Sequence, residues 1–500
     1  MTDHNRLTTG IAGLDDILEG GLPSGHLYLI EGDPGTGKTT LALQFLLAGA
    51  NHGESVLYVT LSESAKELKD VAASHGWSLD NVQIFELLPD EEALRPERQY
   101  TVFHPSEVEL GDTTKAIVAK VEEVDPKRVV IDSLSELRML AQDPLRYRRQ
   151  ILAFKQYFSG KQRTVLLLDD RTNTDRDLQL QSIAHGVLSL ENLPRDYGVK
   201  RRRLEVLKLR GSSFREGFHD YGIKKGGLSI YPRLVASEHK AKFMREQISS
   251  GIKQLDALVG GGIDRGTSTL VMGPAGAGKS TIAAKYAFAA MERGEAAAVY
   301  LFDEGIQSYL SRLKSLGFGT KPFLENGRLL LHQIDVAELS PGEFSNRVHR
   351  AVEVDGAKVI IIDSLNGFMN AMPGEKYLPM QLHELTTFLN QKGIASFMVL
   401  AQHGLIGREM QTPVDVSYLA DSVLLLRFFE AKGEVRQAIS MIKKRSGHHE
   451  RSIRELRLHR GIIVGNPLLD FKGVLSGVPD VLVQKRRKID ARDNDNGPAR

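Results

Sequence analysis

The sequence predicts two consecutive α/β domains, each a mainly parallel sheet with helices on both faces. Three observations predict this: an internal repeat, one glycine-rich loop pattern present in each copy, and short apolar strands alternating with helical segments. Residues 9–40 read TGIAGLDDILEGGLPSGHLYLIEGDPGTGKTT, and residues 250–281 read SGIKQLDALVGGGIDRGTSTLVMGPAGAGKST. Lys38 answers Lys279, and the pairs Gly10–Gly251, Leu14–Leu255, Asp15–Asp256 and Gly25–Gly266 keep the same offset. Chance does not hold so many identities in register, so the chain is a duplication. Later landmarks recur at shifted offsets. RVVIDSL (128–134) answers VIIIDSL (359–365), and RRRLEVLKLRG (201–211) answers RQAISMIKKRS (436–446). Insertions in loops produce such shifts.

In the first copy HLYLIEG reads as a strand, followed by the glycine loop and the helix TTLALQFLLAGANH. ESVLYVTL, RVVIDSL and RTVLLLDD are further buried strands. SAKELKDVAASHG and DPLRYRRQILAFKQYFSGK have helical periodicity between them. Strands alternating with helices predict a parallel sheet covered on both faces, with ligands at the carboxyl ends of the strands. GVLSLEN, RRLEVLKLRG and LSIYP predict an antiparallel meander added to that sheet. The expected division is a first domain over 1–235, a charged linker over 236–247 that could be helical, and a second domain over 248–475. A polar tail over 476–500 is expected to be disordered.

A chain of 500 residues is too long for one hydrophobic core. The formal net charge of +2 gives no overall imbalance that would point to nucleic acid or a membrane surface. Cysteine is absent, which excludes disulfides and thiolate metal sites. The start, MTDHNRLTTG, lacks the apolar core of a signal peptide, and no apolar run reaches membrane-span length. A cytoplasmic soluble protein is the expectation.

Residues 32–39 (GDPGTGKT) and 273–280 (GPAGAGKS) both satisfy G-x-x-x-x-G-K-[ST]. Glycines let successive backbone N–H groups face phosphates, and the helix that follows presents its positive end to the anion. The predicted cradle comprises Gly32, Gly35, Thr36, Gly37, Lys38, Thr39 and Thr40, and in the second copy Gly273, Gly276, Ala277, Gly278, Lys279, Ser280 and Thr281. Lys38 and Lys279 would reach the β and γ phosphates, and the Thr39 and Ser280 hydroxyls would meet Mg²⁺. The expected ligand is Mg-ATP. The alternative is a glycine-rich turn without a ligand. A match in each copy, after a strand and before a helix, argues against it.

Asp132 and Asp363 each end an apolar strand, the pattern of an acid that orients Mg²⁺; the alternative is a turn-capping aspartate. The strand after each loop helix ends in LSES (61–64) and FDEG (302–305). A carboxylate there can polarise the attacking water, which makes Glu63, Asp303 and Glu304 candidates. The alternative is an acid capping the next helix. KLR (208–210) and KKR (443–445) place Lys208 with Arg210, and Lys443 with Arg445, on one face of a strand. Far along the chain from their own loop, they could serve a neighbouring subunit's phosphates, or they could be solvated basic residues on an edge strand.

With its double domain, its (T/S)GI-x-x-LD openings, the two phosphate loops, the IDSL strands and the LKLRG and IKKRS segments, the chain resembles the KaiC family over about residues 6–475. That family comprises ATPases and autokinases of the circadian clock, with non-clock relatives, in the RecA-like superfamily. The resemblance implies two tandem RecA-like domains in a double-ring hexamer, with ATP between adjacent subunits. Lys208, Arg210, Lys443 and Arg445 would then reach the neighbour's nucleotide. It also implies a small regulatory protein partner of KaiB type. The family's catalytic Glu-Glu pair is altered here, to Ser62-Glu63 and to Asp303-Glu304. The first change puts first-domain hydrolysis in question and favours the second domain. Ser417 matches the family's phosphorylated serine, while Tyr418 replaces its phosphorylated threonine and Thr412 is a further hydroxyl nearby.

Two other readings stand beside this one. A DNA-dependent RecA-like motor would need basic or aromatic channel loops. Residues 171–182 and 404–415 carry mixed charge and no aromatic residue. A nucleotide-gated scaffold with a weakly active first domain is motivated by Ser62. The basic runs KRRR (200–203) and KRRK (485–488) read as solvated surface, and His403, His448 and His449 form no metal constellation by spacing.

Overall fold

A computed structural model of the chain describes residues 6–87, 105–171, 178–195, 198–335, 337–372, 377–402, 417–476 and 480–481. It separates into two compact units, residues 1–234 with 337–347, and residues 235–336 with 348–500. Both are RecA-like α/β domains.

The first sheet has nine strands: β1 (Leu27–Gly32), β2 (Val56–Thr60), β3 (Gln83–Glu86), β4 (Arg128–Asp132), β5 (Thr164–Asp170), β6 (Gly186–Leu193), β7 (Arg201–Leu209), β8 (Phe218–Lys224) and β9 (Gly227–Tyr231). They lie in the order β9-β8-β7-β6-β1-β5-β4-β2-β3. The pairings from β6 to β3 are parallel, and those from β6 to β9 are antiparallel. The expected meander is therefore present as β6 to β9. The period of two along β1 explains the two layers. Tyr28 and Ile30 enter one hydrophobic cluster, and Leu27 and Leu29 enter the cluster on the other face.

The second sheet repeats the plan with β10 (Ser268–Gly273), β11 (Ala296–Leu301), β12 (Leu329–Gln333), β13 (Ala357–Asp363), β14 (Ala395–Ala401), β15 (Ser422–Ala431), β16 (Glu434–Lys444), β17 (Ile453–Leu458) and β18 (Ile462–Pro467). Its order, β12-β11-β13-β14-β10-β15-β16-β17-β18, is the first sheet's order strand for strand. Each loop-bearing strand is central and is followed by a long helix, α1 (Lys38–Asn51) and α2 (Lys279–Glu292). The segment read as a possible helical linker forms only a 3-10 turn at Ala236–His239, and then runs without regular structure to Gln247. The loops weighed for a central channel fall largely outside the described residues, as do Thr412, His403 and most of the tail. No helix among the described residues is long and apolar enough to cross a membrane.

One buried cation organises the first domain. Arg128, 2% exposed, pairs through Nε with Glu54 Oε2 at 2.5 Å. It also donates through Nη1 to the carbonyls of Thr8 (2.7 Å) and Phe45 (2.8 Å). The side chain crosses α1 at Gly49, where an added Cβ would lie 2.6 Å from Arg128 Nε. The second domain has Ala290 and Val359 at the matching places, both fully buried, so it has neither the glycine nor the arginine there. Burial pushes the Glu54 carboxyl up, but Lys127 and Arg128 outweigh it and hold it below the usual glutamate range. The pair therefore stabilises the fold above the unfolded glutamate pKa, and that stability is lost as pH falls through the depressed value.

Trp77 is the only tryptophan and packs against the first domain's core, so its fluorescence follows that domain's unfolding. Arg128→Ala should destabilise it by about 3 kcal/mol, because half-buried Glu54 keeps only Lys127 and the carbonyls of Thr8 and Phe45 lose a charged donor. Gly49→Ala should cost about 1–3 kcal/mol by overpacking. Urea melts followed by tryptophan fluorescence check both, and unshifted midpoints would contradict them.

Candidate functional site

In each domain a buried, mostly apolar strand delivers the glycine loop to the sheet's carboxyl edge. Gly35 and Gly37 in the first loop, and Gly276 and Gly278 in the second, have φ between +77° and +96°, where a side chain would be strained. Gly37 and Gly278 are the N-caps of α1 and α2, and neither helix has a side-chain cap. The first-turn N–H groups are left for an anion. Lys38 and Lys279 are each only 7% exposed. Lys38 Nζ donates to the carbonyls of Gly32 (2.8 Å) and Asp33 (3.2 Å), and Lys279 Nζ donates to that of Pro274 (2.8 Å). Both ammonium groups are folded back over their own loops, where phosphates would sit. Burial also lowers the Lys279 pKa, with Asp363 opposing. Thr36 is fully buried and braces the loop through Asp33 O. Thr40, Ala277 and Thr281 are buried at the same turns.

The predicted metal acids lie beside the predicted hydroxyls. Thr39 Oγ1 donates to Asp132 Oδ2 at 3.4 Å, and the Ser280 hydroxyl bonds to Asp363. Burial is the main cause that raises both aspartates above the usual range. A cation beside them would restore the ionised form. These oxygens, with the thiol-free surroundings, fit a hard divalent ion such as Mg²⁺. Tyr58, unremarked in the sequence, donates to Asp132 Oδ2 at 2.5 Å from the neighbouring strand. The second copy has Val299 there.

The strand-end acids differ between the domains. Ser62 is exposed, whereas Glu63 turns inward and is half-buried. Its Oε2 is buried and has no hydrogen-bond partner among the described residues. Burial, then Asp132, Glu67 and Asp170, raise the Glu63 pKa, with Lys38 opposing. The next helix, Ala65–Ser74, is capped by a reciprocal Ser64–Glu67 box, so Glu63 is not its cap. In the second domain Asp303 is exposed and accepts a hydrogen bond from the Ser364 hydroxyl. Glu304 is neutralised by Arg312 at 2.6 Å, and Arg312 also donates to Thr281 Oγ1 at 3.4 Å. Val71 stands at the place of Arg312 in the first copy.

Asp170 is a further residue that motif reading missed. Its Oδ1 lies 2.6 Å from Lys38 Nζ. Asp170 pairs with Gly32 in the sheet, and the matching partner of Gly273 is Ala401, so this ion pair belongs to the first domain alone. The signal was the doubled acid closing RTVLLLDD.

The K-x-R residues sit at the far end of each sheet. Lys208 is opposite Val187, and Arg210 N–H bonds to His185 O beyond the strand's end. His185 N–H in turn bonds to Leu27 O, at the start of β1. The loop leaves after Gly32, five residues on, or about 16 Å away. Arg445 has the same position, through Asp421 to Ser268 at the start of β10. Lys208 Nζ donates to Gln181 O and Arg210 Nη2 to Ser182 O. In the second domain Lys443 Nζ donates to Ser417 O (3.0 Å) and Ala420 O (2.8 Å), and Arg445 Nη2 to Tyr418 O (2.9 Å). The exposed Ser417 thus shares one cluster with the second basic pair.

The family model described as "ATPase: KaiC" matches residues 7–235 and 248–468. The chain is 28% identical over 487 residues to the circadian clock oscillator protein KaiC of Acaryochloris marina, covering 95% of this chain and 91% of the relative. It is 27% identical over 498 residues to the circadian clock protein KaiC3 of Synechocystis, covering 95% and 94%. Two domains with the same strand order, each holding an uncapped loop helix, a buried lysine and a strand-end aspartate, match on both halves; this chain belongs to the KaiC family of ATPases.

Proposed function

We propose that this chain is a ring-forming ATPase that holds Mg-ATP between adjacent copies and phosphorylates itself on Ser417, in signalling or timing. The observation that carries the reading is the position of the basic pairs. In both domains they lie about 16 Å from their own loop, too far for one side chain to span. Only a second copy brings such a pair to a bound nucleotide, and the repetition in both domains argues against an edge-strand accident. A closed homo-hexamer, the assembly expected from the family resemblance, has the head-to-tail contacts this requires.

Glycine-loop N–H groups and Lys38 or Lys279 bind the triphosphate. Thr39 with Asp132, and Ser280 with Asp363, would hold Mg²⁺, which would supply neutralisation of the phosphate charge. In the first domain Glu63 accepts the proton of the attacking water, the role its orphan oxygen and raised pKa fit. The inward Glu63 keeps this role available to the first domain despite Ser62, which weighs against the scaffold reading. In the second domain Glu304 is tied to Arg312, and the Asp303–Glu304 pair is suited to take the proton of a hydroxyl delivered by the neighbour. Ser417 Oγ then bonds to the γ phosphorus, the bond to the β–γ bridging oxygen breaks, and ADP leaves. The relatives are named as clock proteins. A small regulator of KaiB type is the partner this similarity suggests, acting in the cytoplasm. No observation favours nucleic acid.

Light scattering with and without Mg-ATP tests the assembly. A hexamer that forms with nucleotide is expected, and a monomer under both conditions would overturn the reading. Mass spectrometry after ATP incubation should find phosphate on Ser417; its absence would remove the kinase part. In a Lys279→Ala chain, turnover belongs to the first domain. Glu63→Gln should lower it by about 100-fold or more. The acid limb of its pH profile should lie above the ordinary glutamate range, because the base form is lost as pH falls through a raised pKa. Asp170→Ala removes an anion that competes for Lys38, so first-domain nucleotide affinity should rise about three- to tenfold. Equilibrium binding of labelled nucleotide checks this, and weaker binding would contradict it.

A further inference from the structure

A cluster of three side chains of metal-ligating type includes no residue of either phosphate loop. The short turn Ala236–His239 follows the last strand of the first domain. It is docked on the second unit's helix Leu378–Gln391, where Ala236 N–H bonds to Glu384 Oε2 at 3.3 Å and Ala241 N–H to Gln391 O at 3.2 Å. The turn presents His239 to the end of the helix Pro341–Glu353. His349 and Glu353 are four residues apart on that helix, hence on one face. One ligand atom from each of His239, His349 and Glu353 lies within 4.8 Å of the other two.

The rings are held rather than loosely placed. His239 and His349 meet edge to face at 5.1 Å between centroids, and both pack on Phe388, at 5.1 and 5.3 Å. Glu353 is positioned by Lys392, whose Nζ lies 2.6 Å from Oε1. One carboxylate oxygen is enough for a monodentate ligand, so the ion pair and a metal can share the group. Ligand distances of about 2.0–2.2 Å in a tetrahedron put donor atoms roughly 3.3 Å apart. Closing from 4.8 Å to that spacing needs only side-chain adjustment. Two imidazoles and one carboxylate suit zinc better than the hard magnesium ion.

We propose that His239, His349 and Glu353 form a zinc site, with water as fourth ligand, that fastens the connector to two helices inside the second unit. None of the three residues belongs to either phosphate loop, so the site is additional to ATP chemistry. Its regulatory consequence is direct: metal occupancy sets how firmly the segment carrying His239 is held.

The test uses the full chain with Mg-ATP in excess, so that the nucleotide sites are filled. Zinc is titrated against a chromophoric chelator, and cobalt is used as a spectroscopic substitute. One zinc per chain at micromolar free metal is expected, with the intense visible bands of tetrahedral cobalt. His349→Ala should weaken binding by at least tenfold and abolish those bands while ATP turnover persists. His239→Asn should do the same, and it serves if the helix variant misfolds. Failure of the unaltered chain to take up zinc, or uptake undiminished in a folded histidine variant, would overturn the proposal.

Discussion

At Gly37 and Gly278 the backbone turns through a left-handed conformation and starts a helix whose first amides have no cap. This open helix end is the constraint on which the site depends. It leaves donors that a triphosphate can satisfy, and it explains why a buried lysine lies folded over the loop on each side. The central position of β1 and β10 follows from the same need, because only a strand flanked on both sides fixes the loop firmly. The strands two places away, β4 and β13, then bring Asp132 and Asp363 to the loop hydroxyls. Chemistry at the carboxyl edge is thus a consequence of the sheet order.

The two domains share that frame and differ in the charges placed around it. The first has Asp170 on its loop lysine, Tyr58 on Asp132 and a Glu63 oxygen with no hydrogen-bond partner among the described residues. The second has Arg312 on Glu304 and a serine hydroxyl on Asp303. Motif comparison ranks the second domain as the stronger hydrolase, because it keeps two acids. The proposed function instead favours the first, because its single acid faces inward without an ion-pair partner among the described residues. Val71 in place of Arg312 accounts for the difference, and such a residue has no motif to announce it.

Much of the fold was legible because the signals are local. The glycine loops, the apolar strands and the strand-end aspartates are all set by neighbouring residues, and the antiparallel meander follows from turns between short strands. What was not legible is non-local. Arg128 meets Gly49 only through folding, and Asp170 reaches Lys38 only because β5 pairs with β1. The connector was readable as charged but not as mostly irregular, since its backbone is fixed by docking on a distant helix and not by its own periodicity. His239 and His349 likewise have no sequence spacing that would single them out. Fifteen histidines in the chain make such pairs unremarkable until the fold brings two together.

The central claim is that one copy's loop works with another copy's basic pair. Mixing two inactive chains tests it most directly. One carries Lys38→Ala with Lys279→Ala, and the other carries Arg210→Ala with Arg445→Ala. In mixed rings, whose formation native mass spectrometry verifies, some interfaces join an intact loop to an intact arginine. The account predicts that ATP turnover reappears on mixing. Mixed rings that stay as inactive as either parent would contradict it.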